Sequence, residues 1–410
     1  MTSLRERAAD LDRTDPLGHY RDLFVIDDDL IYLDGNSLGR PPRAAAEAVT
    51  NALTQGWATE LVMGWDHWLD LGTETGDLLA PLIGASPGEV VVGDQTSVNL
   101  YKLAMAALAA SDRKRILTDA GNFPSDLYIL DSVARHHGGE LIVIDEDPSP
   151  TTMASHLDDS IGLVAMTHVS YRSGAMHDGA EVTQAVHAAG ALMLWDLAHS
   201  VGAVPVALDA WGADLAVGCT YKYLNGGPGA PGFLFVATAL QAELHQPITG
   251  WFGHEDQFSF AGDFVPSDSI RRFLVGTPPI LSLTAAKAGI DVSVTAGIGA
   301  LRRKGTSLTE LFLEAVGEWA PSFDMDIVTP LDPDQRGSHI SLRHAAGFQI
   351  SQALRAQGVI VDFRAPDLVR FGFAPLYTSH VEVAAAADAL HATLRDGTWQ
   401  EYPRHRFGVT

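Results

Sequence analysis

Cysteine is nearly absent from this chain: Cys219 is the only one in 410 residues. No internal disulfide can form, which fits a reducing compartment, and because Cys219 lies in an apolar run it reads as a buried thiol. Basic residues are also scarce, 27 Lys and Arg against 51 Asp and Glu, for a formal charge of -24. Nucleic acid and anionic membrane both demand a basic face, so neither is expected as a partner. Small anions stay admissible, since a few cations and backbone N–H groups can hold a phosphate in a cleft whatever the global sign. Long hydrophobic runs are missing too. None approaches the ~20 residues that span a bilayer, and the alanine-rich segment after Thr284 is broken by Lys287 and Asp291. The opening Met1-Thr2-Ser3-Leu4-Arg5-Glu6-Arg7 lacks the apolar centre of a secretory signal, so a cytoplasmic location is expected. His136, His137 and His168 have no companion at ligand spacing, and no metal site is expected.

What is present is apolar material, 46% of the chain, enough for a large domain and a smaller one. The organising stretch opens with Ala191-Leu192-Met193-Leu194-Trp195, which ends abruptly in Asp196. After a second run, Leu215-Ala216-Val217-Gly218-Cys219, come Tyr221-Lys222-Tyr223. Short apolar runs bounded by turn signals read as buried parallel strands, and ligands of such sheets bind outside the strands' carboxyl ends. Asp196 and Lys222 are therefore expected side by side at that edge. The pair suits pyridoxal phosphate, which needs a lysine for its aldehyde and an acid to keep its ring nitrogen protonated. It also suits a buried ion pair between neighbouring strand ends, the commoner arrangement.

Further runs at Val90-Val91-Val92, Arg115-Ile116-Leu117, Leu141-Ile142-Val143-Ile144 and 161–166 alternate with helical patterns, which predicts a mostly parallel sheet with helices on both faces. Asp94-Gln95-Thr96-Ser97 opens a helix, so Thr96 and Ser97 serve either an anion or an ordinary N-cap. Two helices are expected between Ala44 and Leu82, and one long helix from Leu283 to Leu301. Gly227-Pro228-Gly229-Ala230-Pro231-Gly232 matches a dinucleotide glycine pattern, but two prolines interrupt it and a strand follows; a tight reversal after the lysine explains it.

The segments 195–200 and 218–229, together with Tyr32-Leu33-Asp34-Gly35-Asn36-Ser37-Leu38-Gly39, Asn122-Phe123-Pro124-Ser125-Asp126 and Arg370-Phe371-Gly372-Phe373-Ala374-Pro375-Leu376-Tyr377, closely resemble kynureninases. The resemblance implies an α/β fold of the fold-type-I pyridoxal phosphate class: a mostly parallel seven-stranded sheet in a large domain over 46–283, a smaller α/β domain over 284–410, and a segment over 1–45 at the active-site mouth. It implies hydrolytic cleavage of L-kynurenine to anthranilate and L-alanine, a step of tryptophan catabolism, by a homodimer with shared active sites. Lys222, Tyr221, Asp196 and His199 become the catalytic candidates. Cofactor contacts are expected from Thr96, Ser97, Phe123, Ser125, Asp126, Thr167, Asp196, His199, Tyr221, Lys222, Trp251 and Thr277. The substrate side falls to Asn36, Ser37, Trp65, Gly276 and Arg370, with Trp65 and Gly276 favouring plain kynurenine over its 3-hydroxy derivative. Tyr171 and Arg172 read as exposed loop. An aminotransferase, a cysteine desulfurase or a non-catalytic binding protein on the same fold are the competing readings.

Overall fold

The computed structural model describes residues 4–27, 29–145, 147–260 and 262–404. Met1, Thr2 and Ser3 of the inspected leader stretch lie outside them, as does the end of the expected C-terminal domain, 405–410. The strands in chain order are β1 (Ile31–Tyr32), β2 (Val90–Val92), β3 (Arg115–Asp119), β4 (Leu141–Ile144), β5 (Ile161–Thr167), β6 (Leu192–Asp196), β7 (Leu215–Cys219), β8 (Gly232–Val236), β9 (Asp326–Ile327), β10 (His339–Arg343), β11 (Val359–Ile360), β12 (Asp362–Arg364) and β13 (Leu368–Gly372).

Seven of them form one sheet in the order β2-β8-β7-β6-β5-β3-β4, parallel except where β8 runs against both neighbours. Alternation along the strands explains why they are apolar throughout. Val164, Met166, Met193, Trp195 and Phe235 enter a core on one face, while Leu163, Ala165, Leu194, Val217 and Leu234 enter the core on the other. Successive side chains point to opposite faces, and with both faces covered there is no solvent side for polar residues. Each large side chain so buried contributes about 1.5–3 kcal/mol.

A second, antiparallel sheet, β12-β13-β10-β9, packs on another core that includes Phe312, Ile340, Phe371 and Leu390. Ala8 and Leu33 join that core, and β1 pairs in parallel with β11, so the N-terminal segment packs with the C-terminal sheet.

The single helix expected from Leu283 to Leu301 is in fact two, Ile280–Ala296 and Ile298–Gly317. Gly297 separates them at φ +77, a conformation open to glycine that no α-helix can pass through. Between Ala44 and Leu82 the chain is also more broken than expected. A helix over Arg43–Asn51 widens into a π-helical stretch over Ala52–Glu60, and a reversal at Leu61 (φ 54) precedes short helices at Trp65–Trp68 and Leu71–Leu79.

Candidate active site

Register brings the chemistry together. Thr167 at the end of β5 pairs with Asp196 at the end of β6, and Asp196 with Val217 of β7, whose chain reaches Lys222 a few residues on. The reversal after Lys222 is held by Gly226 N–H donating to the Thr220 carbonyl (2.8 Å) and by Asn225 at φ 57. One cleft is lined by Asn36, Ser37, Thr96, Ser97, Phe123, Ser125, Asp126, Thr167, Asp196, His199, Tyr221, Lys222 and Arg370, all expected from the sequence. Tyr171, Cys219 and Arg364 line it as well. Trp65, Trp251, Gly276 and Thr277 do not. Trp65 packs against Trp68 and Phe252 on an apolar groove elsewhere, and Trp251, Gly276 and Thr277 are exposed.

Lys222 Nζ lies 2.8 Å from His199 Nε2. Asp196 is buried, and its Oδ1 accepts from the Ala198 N–H at 2.7 Å. Burial pushes its carboxyl above the usual range, an effect that the Lys222 ammonium opposes. Asp126 is pushed well above, by burial and by the adjacent Asp196 carboxylate, and its Oδ2 is a buried acceptor without a partner among the described residues. Two carboxyls so placed call for a cation or a proton donor beside them. Tyr221 stays a neutral phenol; proximity to Cys219, burial and the Asp196 charge all raise it. Cys219 itself is buried, with Sγ 3.7 Å from the Ala198 carbonyl, and its thiol is raised by burial.

These residues fit pyridoxal phosphate. The helix Thr96–Ala109 opens without a capping side chain, which leaves its first N–H groups for an anion. Gly232 permits that opening to abut the sheet, since a Cβ there would fall 2.9 Å from Thr96 N. Thr96 Oγ1 donates to the Gly218 carbonyl at 3.1 Å, and Thr167 Oγ1 to that of Val169 at 3.2 Å. Phe123, 43% exposed, offers an aromatic face in the cleft and meets Tyr171 edge-on at 5.2 Å. Asp196 and Asp126 would supply the acid for a ring N–H, and Lys222 the amine.

At the other end, Arg370 and Arg364 share the fully buried Asp362 carboxylate. Ser37 Oγ also donates to it at 3.0 Å, and Arg370 reaches the Tyr171 carbonyl. The two guanidiniums put cationic donors at the cleft wall, suited to an anionic group, and the buried Asp34 carboxyl, raised to about 6 chiefly by burial and by the Asp362 charge, lies close to them. Asp362 and Arg364 were missed from the sequence. Asp-Phe-Arg has no apolar run to mark a strand, and only the pairing Asp362↔Arg370 shows the contact. The Asn36 side chain is buried against Gly372, where a Cβ would overlap it.

A family model described as the kynureninase C-terminal domain matches residues 301–390. Curated kynureninases of Burkholderia pseudomallei (strain 1106a) and Pseudomonas fluorescens are 45% and 44% identical to this chain, over 97% and 95% of its length and the same shares of theirs. Among solved structures, the apo cysteine desulfurase of Thermococcus onnurineus NA1 has a TM-score of 0.78 at 21% identity, covering 92% of this chain and 98% of its own. A C-DES mutant with glycine covalently linked to its PLP cofactor has a TM-score of 0.77 at 17% identity, covering 88% and 96%. At such identities the likeness is one of fold, that of the fold-type-I class. The near full-length identity goes further: this chain belongs to the kynureninase family.

Proposed function

We propose that this protein is a pyridoxal phosphate-dependent hydrolase that cleaves the Cβ–Cγ bond of L-kynurenine, with one water, into anthranilate and L-alanine. The observation that carries the reading is the convergence of Lys222, His199, Asp196 and Arg370 on one cleft of a chain 45% identical to kynureninases. When bound, pyridoxal phosphate supplies an aldehyde that bonds an amine and a protonated ring that withdraws electrons.

The chain's own residues do the rest. Thr96 and Ser97 would hold the phosphate with backbone N–H groups, and Phe123 would offer its face to the ring, with Ser125 also in the cleft. Asp196, backed by Asp126, would keep a proton on the ring nitrogen. The Lys222 amine takes and returns the substrate α-proton, and His199, 2.8 Å away, fixes its position. Arg370, with Arg364 and Ser37, captures the α-carboxylate. Tyr221, a neutral phenol in the cleft, is a proton donor; a Tyr221→Phe variant with full turnover would remove it from that role.

Trp65, Trp251, Gly276 and Thr277 serve a second copy's site in a homodimer. Their place outside this cleft supports that reading, as do the exposed apolar residues Trp57, Leu61 and Val62 lining the Trp65 groove. Light scattering after gel filtration should give twice the 43.8 kDa chain mass; a monomer at assay concentration would refute it. With no side chain at Gly276 to bond a hydroxyl and an indole at Trp65, plain kynurenine is preferred, and equal kcat/KM on the 3-hydroxy derivative would defeat this. A cytoplasmic location belongs to the same reading, and the single cysteine, which fits a reducing compartment, supports it. The deciding assay is fluorescence of released anthranilate from L-kynurenine, with and without added pyridoxal phosphate. No release from loaded protein would overturn the proposal.

A further inference from the structure

His339 opens β10 opposite Gly372 of β13, one strand away from Arg370. It is fully buried, and neither ring nitrogen has a hydrogen-bond partner among the described residues. A core position with no use for an imidazole would be better filled by an apolar side chain. The ring instead faces His199, with centroids 5.6 Å apart and planes at 60°. His199 Nδ1 is likewise buried and unpartnered among the described residues, while its Nε2 meets Lys222 Nζ at 2.8 Å. Lys222 thus contacts His199, and His199 in turn meets His339 edge-on. Burial first, then the Lys222 amine and the Arg370 and Arg364 guanidiniums, oppose a positive charge on either imidazole, while the Asp196 and Asp126 carboxyls act on Lys222 itself.

The tautomer of His199 decides what Lys222 can do. An ammonium has only donors, so it is held at 2.8 Å only if Nε2 presents its lone pair and the ring proton sits on Nδ1. A neutral amine can instead accept from Nε2–H. Which nitrogen carries the proton is set by the surroundings of the other nitrogen, and the aromatic neighbour of the His199 ring is His339, 5.6 Å away between centroids. We infer that His339 is a positioning residue: the dipole of its edge-to-face imidazole fixes the His199 tautomer, and through it the protonation state of the Lys222 nitrogen. The inference deepens the proposed function and rests on Lys222 being the cofactor's amine.

The test uses the pyridoxal phosphate-loaded protein and two variants, His339→Phe, which keeps the ring and removes its dipole, and His339→Gln, which keeps a polar edge. The pH midpoint of the bound cofactor's absorption band should move by about 0.5–1 pH unit in His339→Phe, with kcat for kynurenine falling more than KM changes, and should return most of the way in His339→Gln. Nitrogen-15 shifts of labelled histidines should give one tautomer for His199 in the unsubstituted protein and a mixture in His339→Phe. A folded His339→Phe with unmoved midpoint and unmoved shifts overturns the inference. So does a mixture in the unsubstituted protein, which decides the matter even if the variant fails to fold. Absence of any lysine-linked cofactor band in the unsubstituted protein would instead defeat the proposed function, and the nitrogen shifts would still judge His339.

Discussion

At Gly39 a missing side chain lets the N-terminal loop touch the lysine loop. Its N–H donates to the Tyr221 carbonyl at 2.8 Å, and an added Cβ would fall 2.3 Å from both the Lys222 carbonyl and Asn225 Oδ1. Neither neighbour can give way, because Asn225 is tied to the Tyr223 carbonyl and shapes the reversal that aims Lys222. Gly39→Ala should therefore lower kcat/KM at least ~10-fold, or about 1.4 kcal/mol of transition-state stabilisation, in a protein that still folds; unchanged kinetics would show the contact to be incidental. Arg370→Lys keeps the charge and loses the planar fork that grips Asp362 and the Tyr171 carbonyl. Steady-state assays should find KM raised roughly 10- to 100-fold, since ~1.5–3 kcal/mol of charged hydrogen bonding is at stake. Asp196 and Lys222 were legible because each ends or follows an apolar run, which marks a strand end. Tyr171 was not: it reads as exposed loop yet lines the cleft, for nothing local signals that Phe123 and Arg370 meet it from distant segments. His339 was hidden for a similar reason, as one of three polar residues, with Ser341 and Arg343, that alternate with Ile340 and Leu342 along the strand.

Among the elements, strands were easier to read than helix breaks. A buried strand announces itself by composition, whereas the apolar periodicity of 280–317 runs on through Gly297, and a lone glycine does not reveal the sign of its φ. The helix His380–Arg395 shows an end with a clear cause. Ser379 Oγ accepts from the Glu382 N–H at 3.2 Å, and the Glu382 carboxylate accepts from the Ser379 N–H at 2.8 Å, a reciprocal cap. Arg21 pairs with that same carboxylate and donates to the Tyr377 carbonyl, so the cap also ties the N-terminal segment down. Ser379→Ala should cost about 0.5–2 kcal/mol. Urea unfolding would read it, with kcat unchanged because the cap lies away from the cleft.

For the whole molecule, the pH dependence of stability follows from which buried groups refuse a proton. His168 hydrogen-bonds Ser200 Oγ at 2.8 Å and packs between Trp195 and Trp211. Burial, then the neighbouring His177, lowers its pKa to about 3. In the unfolded chain it returns to about 6.5. Below that value the unfolded chain binds a proton that the folded form refuses, so stability is complete above pH 6.5 and falls steadily as pH drops toward 3, by ~1.4 kcal/mol per pH unit for each such histidine. His199 and His339, lowered well below the usual range, act in the same direction. Asp126 and Asp196 act in the opposite one: with carboxyls raised by burial, the folded form keeps protons that the unfolded chain sheds above about pH 4, which stabilises it relatively as pH falls. The acid limb is therefore a difference between two opposed sets, and a single wild-type curve cannot apportion it. Replacing one histidine can. His168→Gln keeps a polar partner for Ser200 and cannot titrate, so whatever it costs in packing is the same at every pH. Urea unfolding at pH 6, 5 and 4 should show the gap between variant and wild type closing by ~1.4 kcal/mol per unit as pH falls. A gap that stays constant would mean that His168 accepts its proton inside the fold, against the apolar packing around it.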